Sequence, residues 1–551
     1  MKRIFLVLGL IIFALTACRN NNSDEVDPVS LIGGAGIFAI PLDTEAEITI
    51  MTWAGSGTFR RDIGRVPIAP EDITGHEDAA MIATATAFNA YFPNITVNSY
   101  CVPGGDFYAQ ARENMRLEHG VYPDAFWVGN LSRDIVMGMI ADLTIFEDDP
   151  MYQSINPAIL DMVKIGGRTW ALPTYFTPNG IYVNRSLPER ENMDVPPINW
   201  TLNQYMQFVS NHKVDEYYGA WEQLWPITES GTQDFFMQLA RHADRQPGES
   251  YIKPNTQPMR NVLAQIIPLF EHNICSNEYL GKLSPEFMEQ IQWSGLRAFA
   301  QNKLLTYHGG QYSVRDVAHP DGANHSLGNI VEDWDIYPRP STEYIGNHIG
   351  VTIDPFAIRN YAMDDGDPNL SLEEFDKMAI AFDFVKFYVG DTQAWRARAN
   401  QQYNTEGTLS HALTDAFPVV TGQAYNDQMD IWFTSGREML RDANSFPGFH
   451  YIMDLVLQGE FAAISNKTIP WHYEVDGNTQ SILTEWYNKW NPEYVGVFEL
   501  DPSWLDELYA RLPLWEELFN ERWEAGFAEL YEAMDRFYPV QQKFDNTEVS
   551  E

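Results

Sequence analysis

Between Gly166 and Leu187 the chain reads GGRTWALPTYFTPNGIYVNRSL, two short strand-like runs separated by a polar stretch with two prolines. Trp170-Ala171-Leu172 enters and Ile181-Tyr182-Val183 leaves, with Pro173, Thr174, Thr177, Pro178 and Asn179 between them. Proline has no N–H to give to a sheet ladder, so a central strand is not expected to run straight through. A strand that leaves one sheet at such a kink and joins another is a natural crossing between two lobes. The same stretch carries Tyr175 and several hydroxyl and amide groups toward the cleft that two lobes enclose, where small-molecule sites form.

The length of 551 residues agrees with more than one core. Hydrophobic residues at 45% and aromatics at 13% describe packed lobes rather than a disordered chain. The formal charge is −40. That balance excludes wrapping nucleic acid, which needs basic patches to neutralise phosphates, and it disfavours a polyanionic ligand.

At the N-terminus, Lys2 and Arg3 precede an apolar run from Ile4 to Leu15, followed by Leu15-Thr16-Ala17-Cys18. The run is too short to span a bilayer at about 1.5 Å per residue, so a signal peptide is the better reading. Small residues before the cysteine suit a lipoprotein signal peptidase. The expectation is a signal over residues 1–17 and a lipidated Cys18, which would anchor the chain on the extracytoplasmic face of a membrane. A polar, Asn-rich tether then follows over 18–43.

Further along, Glu47 to Trp53 reads as a strand, followed by a small-residue loop through Ser56 and Thr58. His76 to Phe92 reads as a helix stopped by Pro93, Ile95 to Val97 as a strand, Phe107 to His119 as a helix, and Pro123 to Val128 as a strand. Alternating strands and helices predict an α/β lobe with a largely parallel sheet. Ligands gather beyond the carboxyl ends of such strands, where Trp53, Ser56, Thr58, Trp127 and Asn130 fall. The middle is read as helical over Leu202 to His212, Gln233 to Arg245, Met259 to His272 and Pro285 to Asn302. Apolar residues recur at steps of three and four from Trp504 to Phe537, predicting one long helix with a core-facing stripe.

The kinked segment resembles the first interdomain crossing of family 1 extracellular solute-binding proteins, the ligand-capturing proteins of ABC importers. That pattern ends in Tyr-x-Asn, here Tyr182-Val183-Asn184. DAFWVGNL (Asp124 to Leu131) with Ile140 to Thr144, Leu224-Trp225-Pro226-Ile227 with Gly231, and DIYPRPS (Asp335 to Ser341) leading to Gly350-Val351 resemble other family segments in the right order. The resemblance implies a periplasmic-binding-protein-like type II α/β fold, with two lobes joined by about three hinge crossings. The first lobe would take 44–173 and 340–395, the second, more helical lobe 180–335 and 405–540, and a polar tail 541–551. The third crossing would fall near 392–410.

The resemblance also implies a function, capture of a solute, most plainly an oligosaccharide, for an importer's permease subunits. It implies a monomer with no catalytic role and no cofactor. Carried over residue by residue, the family's cleft positions fall on Trp53, Ser56, Thr58, Trp127, Asn130, Tyr175, Thr177, Asn179, Trp225, Gln311 and Tyr312. Trp471, beside His472 and Tyr473, reads as a cleft-rim residue. A sugar offers one C–H face and a rim of hydroxyls, which suits aromatic rings flanked by amides and hydroxyls. Any one of 16 tryptophans is more often core than ligand platform. The family reading puts Cys101 and Cys275 in different lobes, so two separate buried thiols are expected rather than a bridge.

Asp365, Asp367 and Asn369 suggest a calcium loop, and larger carbohydrate-binding members of the family sometimes carry a structural calcium. An EF-hand loop, however, needs Gly at its sixth position and Glu at its twelfth. Counting from Asp365, the sixth residue is Leu370 and no Glu stands twelfth. The favoured reading is an acidic turn with Ser371 capping a helix and Glu374 completing a capping box. The chain lacks GxSxG, HExxH, P-loop and Cys-x-x-Cys signatures. A glycoside hydrolase needs only two suitably spaced carboxylates, so that class stays open among 76 acidic residues. Oligopeptide-binding proteins match in size but not in these motifs.

Overall fold

The computed structural model describes residues 38–53, 57–73, 75–102, 108–213, 215–221, 253–266, 284–292, 294–310, 333–363, 366–405, 408–411, 413, 417–463 and 503–538. The strands, in chain order, are β1 (Ala46–Thr52), β2 (Thr58–Arg60), β3 (Ile95–Cys101), β4 (Ala125–Trp127), β5 (Lys164–Ile165), β6 (Arg168–Thr169), β7 (Leu172–Asn184), β8 (Tyr218–Trp221), β9 (Leu304–Gly310), β10 (Trp334–Tyr337), β11 (Ile349–Ile358), β12 (Gln402–Thr405), β13 (Thr408–His411) and β14 (Phe461–Ala463). Ten of them form one sheet in the order β2-β3-β1-β4-β11-β7-β9-β8, with β10 also paired to β7 and β14 to β11.

The first part of this sheet is the parallel set read from sequence. β3, β1 and β4 are parallel. The helices His76–Asn89 and Tyr108–His119 make the connections. From Ile48 to Thr52 every residue of β1 is buried, as expected of a strand covered on both faces. β11 returns between β4 and β7, antiparallel to both. The architecture is mixed α/β, with a mixed sheet.

The expected break at the prolines does not occur. β7 is one thirteen-residue strand from Leu172 to Asn184. What changes along it is its partners. One edge pairs with β11 from Leu172 to Asn179 and then with β10 from Ile181 to Asn184. Among the described residues, the other edge makes the isolated bridge from Phe176 to Phe417 and then pairs with β9 from Asn179 to Val183. Pro173 stands opposite Pro355, where the register shifts between Ile353 and Pro355 and the ladder is already interrupted. Pro178 presents its backbone to the same edge as Phe176, in the gap before β9 begins. Neither missing N–H removes a bond that the ladder would have made. β7 is thus an unbroken strand that exchanges neighbours near Asn179.

Other expectations shift in detail. Pro285 to Asn302 is two helices, Pro285–Ile291 and Gly295–Ala300, because Gln292 turns left-handed and Ser294 caps the second by accepting from Arg297 N. The stretch near 392–410 is the helix Thr392–Asn400 and the hairpin β12–β13, both in contact with the helix His76–Asn89. Beyond it, Phe417 forms an isolated bridge with Phe176 of β7. Gln233 to Arg245, Cys18 and Cys275 lie outside the described residues. Cys101 is a free, buried thiol 3.0 Å from Thr52 Oγ1.

The C-terminal stripe is one helix, Ser503–Phe537, with Leu508, Leu512, Leu530 and Met534 buried. Near its start Tyr509 donates to Arg260 O at 2.7 Å, tying it to the helix Gln257–Ile266. Beyond its end Tyr538 packs edge-on against Trp170 at 4.7 Å, and its carbonyl accepts from Arg168 at 2.7 Å. One large hydrophobic cluster surrounds most of the sheet, and a smaller one gathers Ile181, Val183, Trp200, Leu305 and Tyr337 around the far end of β7. No described helix is long and apolar enough to cross a membrane.

Candidate binding site

β1 and β4 are adjacent and parallel, with Ile50 opposite Ala125 and Met51 opposite Phe126. Their carboxyl ends therefore deliver Trp53 and Trp127 side by side. The two rings lie 5.6 Å apart at 42°. Trp127 meets Tyr175 of β7 at 5.6 Å and Phe356 of β11 at 6.0 Å, both edge-to-face. Trp53 meets His76 edge-on at 5.9 Å. Four separate segments thus build one aromatic wall at the strand ends, where an α/β sheet places ligands. Trp127 and Tyr175 are almost fully covered, while Trp53 is half-buried.

Behind the wall sits Glu77, in the first turn of the helix His76–Asn89 and fully buried. A carboxylate near a helix N-terminus is favoured by the helix dipole. Tyr175 Oη donates to its Oε1 at 3.5 Å, and Tyr388 Oη donates to its Oε2 at 3.2 Å. His76 Nε2 is 3.4 Å from Oε1. Burial first, and the charge of Glu77 second, push both tyrosine hydroxyls well above their ordinary range, so both remain neutral donors.

Three N–H donors at this end of the sheet have no acceptor: Trp53 Nε1, Trp127 Nε1 and Asn130 Nδ2. Asn130 caps the helix Leu131–Val136, its Oδ1 accepting from Arg133 N at 2.9 Å and from Ser132 Oγ at 2.7 Å. Along β7, Tyr175, Thr177 and Asn179 share one face by the two-residue period of a strand. Asn179 Nδ2 donates to Thr352 Oγ1 at 3.1 Å and to Thr177 O at 3.3 Å, where β7 changes partners.

Of the residues expected in a site, Trp53, Trp127 and Tyr175 come into direct contact, and Thr177 and Asn179 follow Tyr175 along the crossing. Thr58 lies on β2, opposite Cys101 at the end of β3, two strands away from β1. Ser56, Trp225, Gln311, Tyr312 and Trp471 lie outside the described residues. Asp365 does too, while Asp367 Oδ1 accepts from Asn369 N at 2.9 Å in a local turn. Ser371 and Glu374 form the capping box read from sequence. His76, Glu77 and Tyr388 were not read as site residues. Two polar residues opening an Ala-rich helix were the signal for the first two, and nothing in the local sequence marked Tyr388. Together these groups offer aromatic faces and N–H donors, which suits non-covalent capture of a ligand with an apolar face and acceptor oxygens.

No family model and no curated protein sequence matches the chain. Solved structures do match over nearly their whole length. An ABC substrate-binding protein from Listeria monocytogenes, in complex with cycloalternan, is 14% identical with a TM-score of 0.54, over 87% of this chain and 99% of that one. The cyclic alpha-maltosyl-1,6-maltose binding protein from Arthrobacter globiformis is 14% identical with a TM-score of 0.53, over 86% of this chain and 100% of its own. An extracellular solute-binding protein of family 1 from Alicyclobacillus acidocaldarius is 11% identical with a TM-score of 0.52, over 86% and 99%. These matched structures are binding proteins rather than enzymes. The chain therefore has the periplasmic-binding-protein-like fold that ABC solute-binding proteins share.

Proposed function

We propose that the chain is the extracytoplasmic binding component of an ABC importer and captures a carbohydrate, an oligosaccharide by preference, in a cleft between two lobes. The observation that carries this reading is the match in fold, over 87% and 86% of this chain, with sugar-binding proteins of such importers. The aromatic wall of Trp53, Trp127 and Tyr175 at the strand ends supports it, because flat rings suit the C–H face of a pyranose.

In this reading the first lobe takes 44–173 and 340–395 and the second takes 180–335 and 405–540. Ligand favours the closed arrangement by its differential affinity for it. Thr177 and Asn179 act at the crossing, and Ser56, Thr58, Trp225, Gln311, Tyr312 and Trp471 complete the cleft. Cys18 carries the lipid that holds a monomer at the membrane, where it meets the permease subunits. A thermal-shift screen with maltotriose, mannotriose, cycloalternan and trigalacturonate tests the carbohydrate reading. A binder is stabilised by RT ln(1 + [L]/Kd), about 2.7 kcal/mol at a hundredfold excess over Kd, and leaves the sugar intact. No shift with any of them, or new reducing ends in the product, would count against it.

A further inference from the structure

The helix Ser503–Phe537 has 35 residues, about 52 Å at 1.5 Å per residue, and both its ends are tied to segments far away in sequence. The far end is held at the segment before β7. Tyr538 O accepts from Arg168 Nη1 at 2.7 Å, and the Tyr538 ring packs edge-on against Trp170 at 4.7 Å. Gly166 lies so close to this end that a Cβ there would stand 3.1 Å from Met534 Sδ and 3.2 Å from Tyr531 Cε1. Leu530, Met534 and Tyr538 belong to the large hydrophobic cluster.

The near end is held by the helix Gln257–Ile266, whose Val262 belongs to the smaller cluster. One pair makes three contacts there. Tyr509 Oη donates to Arg260 O at 2.7 Å, the Arg260 guanidinium lies 4.7 Å from the centre of the Tyr509 ring, and Arg260 Nη2 donates to Tyr509 O at 3.5 Å. The last contact has a cause in the sequence. Pro513, inside the helix, has no N–H, so the carbonyl four residues back, that of Tyr509, loses its helical partner. A guanidinium from another helix takes that place. One turn further along, Asn255 N donates to Glu516 Oε2 at 3.3 Å.

In the two-lobed reading above, Arg260 belongs to the second lobe, and Gly166, Arg168 and Trp170 belong to the first. We propose that the helix is a strut between the lobes, jointed at Pro513, and that Arg260 and Tyr509 are positioning residues for ligand capture without being ligand contacts. The strut rests on that reading and adds the element that limits the motion. A proline leaves a helix with a point that bends more readily than a continuous ladder, and the Arg260–Tyr509 pair holds that point. With the pair intact, the ligand-free lobes sample a narrow range of openings, so less conformational entropy is lost when a ligand closes them.

The test is Arg260→Ala, with Tyr509→Phe beside it, which removes the 2.7 Å bond and keeps the ring. Small-angle scattering should give ligand-free Arg260→Ala a larger radius of gyration than the wild type. At saturation with whichever of maltotriose, mannotriose and cycloalternan binds the wild type, the two radii should be equal. The Kd of Arg260→Ala for that sugar should rise about fivefold, and that of Tyr509→Phe by less. An unchanged ligand-free radius in Arg260→Ala overturns the strut, whatever happens to its melting temperature, and so does a wild-type Kd. If Arg260→Ala does not fold, Tyr509→Phe is read in the same way. If none of the sugars binds, the ligand-free radius alone decides. A wild type whose radius is the same with and without bound sugar removes the hinge reading itself, a failure read on the wild type alone.

Discussion

Trp127 and three core tryptophans have the same covering and opposite wiring. Trp170, Trp200 and Trp395 each donate their indole N–H to a backbone carbonyl, of Ile165 at 3.0 Å, Pro338 at 2.9 Å and Val389 at 3.2 Å. Trp127 is as deeply covered, yet its N–H, like that of Trp53, has no acceptor. Burial alone therefore does not separate a packing tryptophan from a ligand platform. The hydrogen-bond inventory does better, because a core residue has its polar atom served from within. Wiring still needs position beside it. Trp432 also has an unpartnered N–H, but it packs among Phe417, Phe449 and Arg437, away from the strand ends.

The comparison can be broken most forcefully at Trp200. Trp200→Ala should cost about 3–5 kcal/mol in urea unfolding, from lost burial and the cavity left behind. A cost below about 1 kcal/mol would show that this residue is not the packing counterpart assumed here.

A second test asks what burial does to a polar group that is served from within. Asp391 caps the helix Thr392–Asn400 by accepting from Gln393 N at 2.7 Å, yet burial pushes its carboxyl up to about 6. The folded value lies above the unfolded one. Its contribution to stability is therefore full below about pH 4 and is lost as pH rises through about 6, roughly 2–3 kcal/mol in all. Asp391→Asn should flatten that part of the stability–pH curve, and an unchanged slope would contradict the assignment.

The finer contrast is between Trp200→Phe and Trp127→Phe. Both lose similar area, but only the first strands a carbonyl, that of Pro338. Trp200→Phe should therefore be the less stable by about 1–2 kcal/mol. Equal losses would mean that the two indoles are wired alike. The smallest effect is expected at the acidic turn, where Asp367 is engaged by Asn369 and Ser371 is a helix cap. EDTA should leave the melting temperature unchanged, and a drop would revive the calcium reading.

Much of the fold was legible because it depends on local periodicity. β1, β3, the helix His76–Asn89 and the long C-terminal helix announce themselves by apolar spacing. The form of the kinked segment was misread, since it is one strand. Whether a proline interrupts a strand depends on whether its N–H was wanted, and Pro355 and Phe417, far away in sequence, decide that. The site was half legible for a similar reason. Trp53, Trp127 and Tyr175 stand at strand ends and on the crossing, which pattern can locate. Glu77 and Tyr388 are joined across 311 residues and looked like ordinary helical positions.

The most direct test of the account follows one saturating sugar through three proteins: wild type, Trp200→Phe and Trp127→Phe. Each is melted with and without the sugar that shifts the wild type. The ligand-induced rise in melting temperature should survive in Trp200→Phe, although that protein starts from a lower baseline, and should vanish or nearly vanish in Trp127→Phe. An undiminished rise in Trp127→Phe would contradict the claim that the carboxyl ends of β1 and β4 hold the ligand.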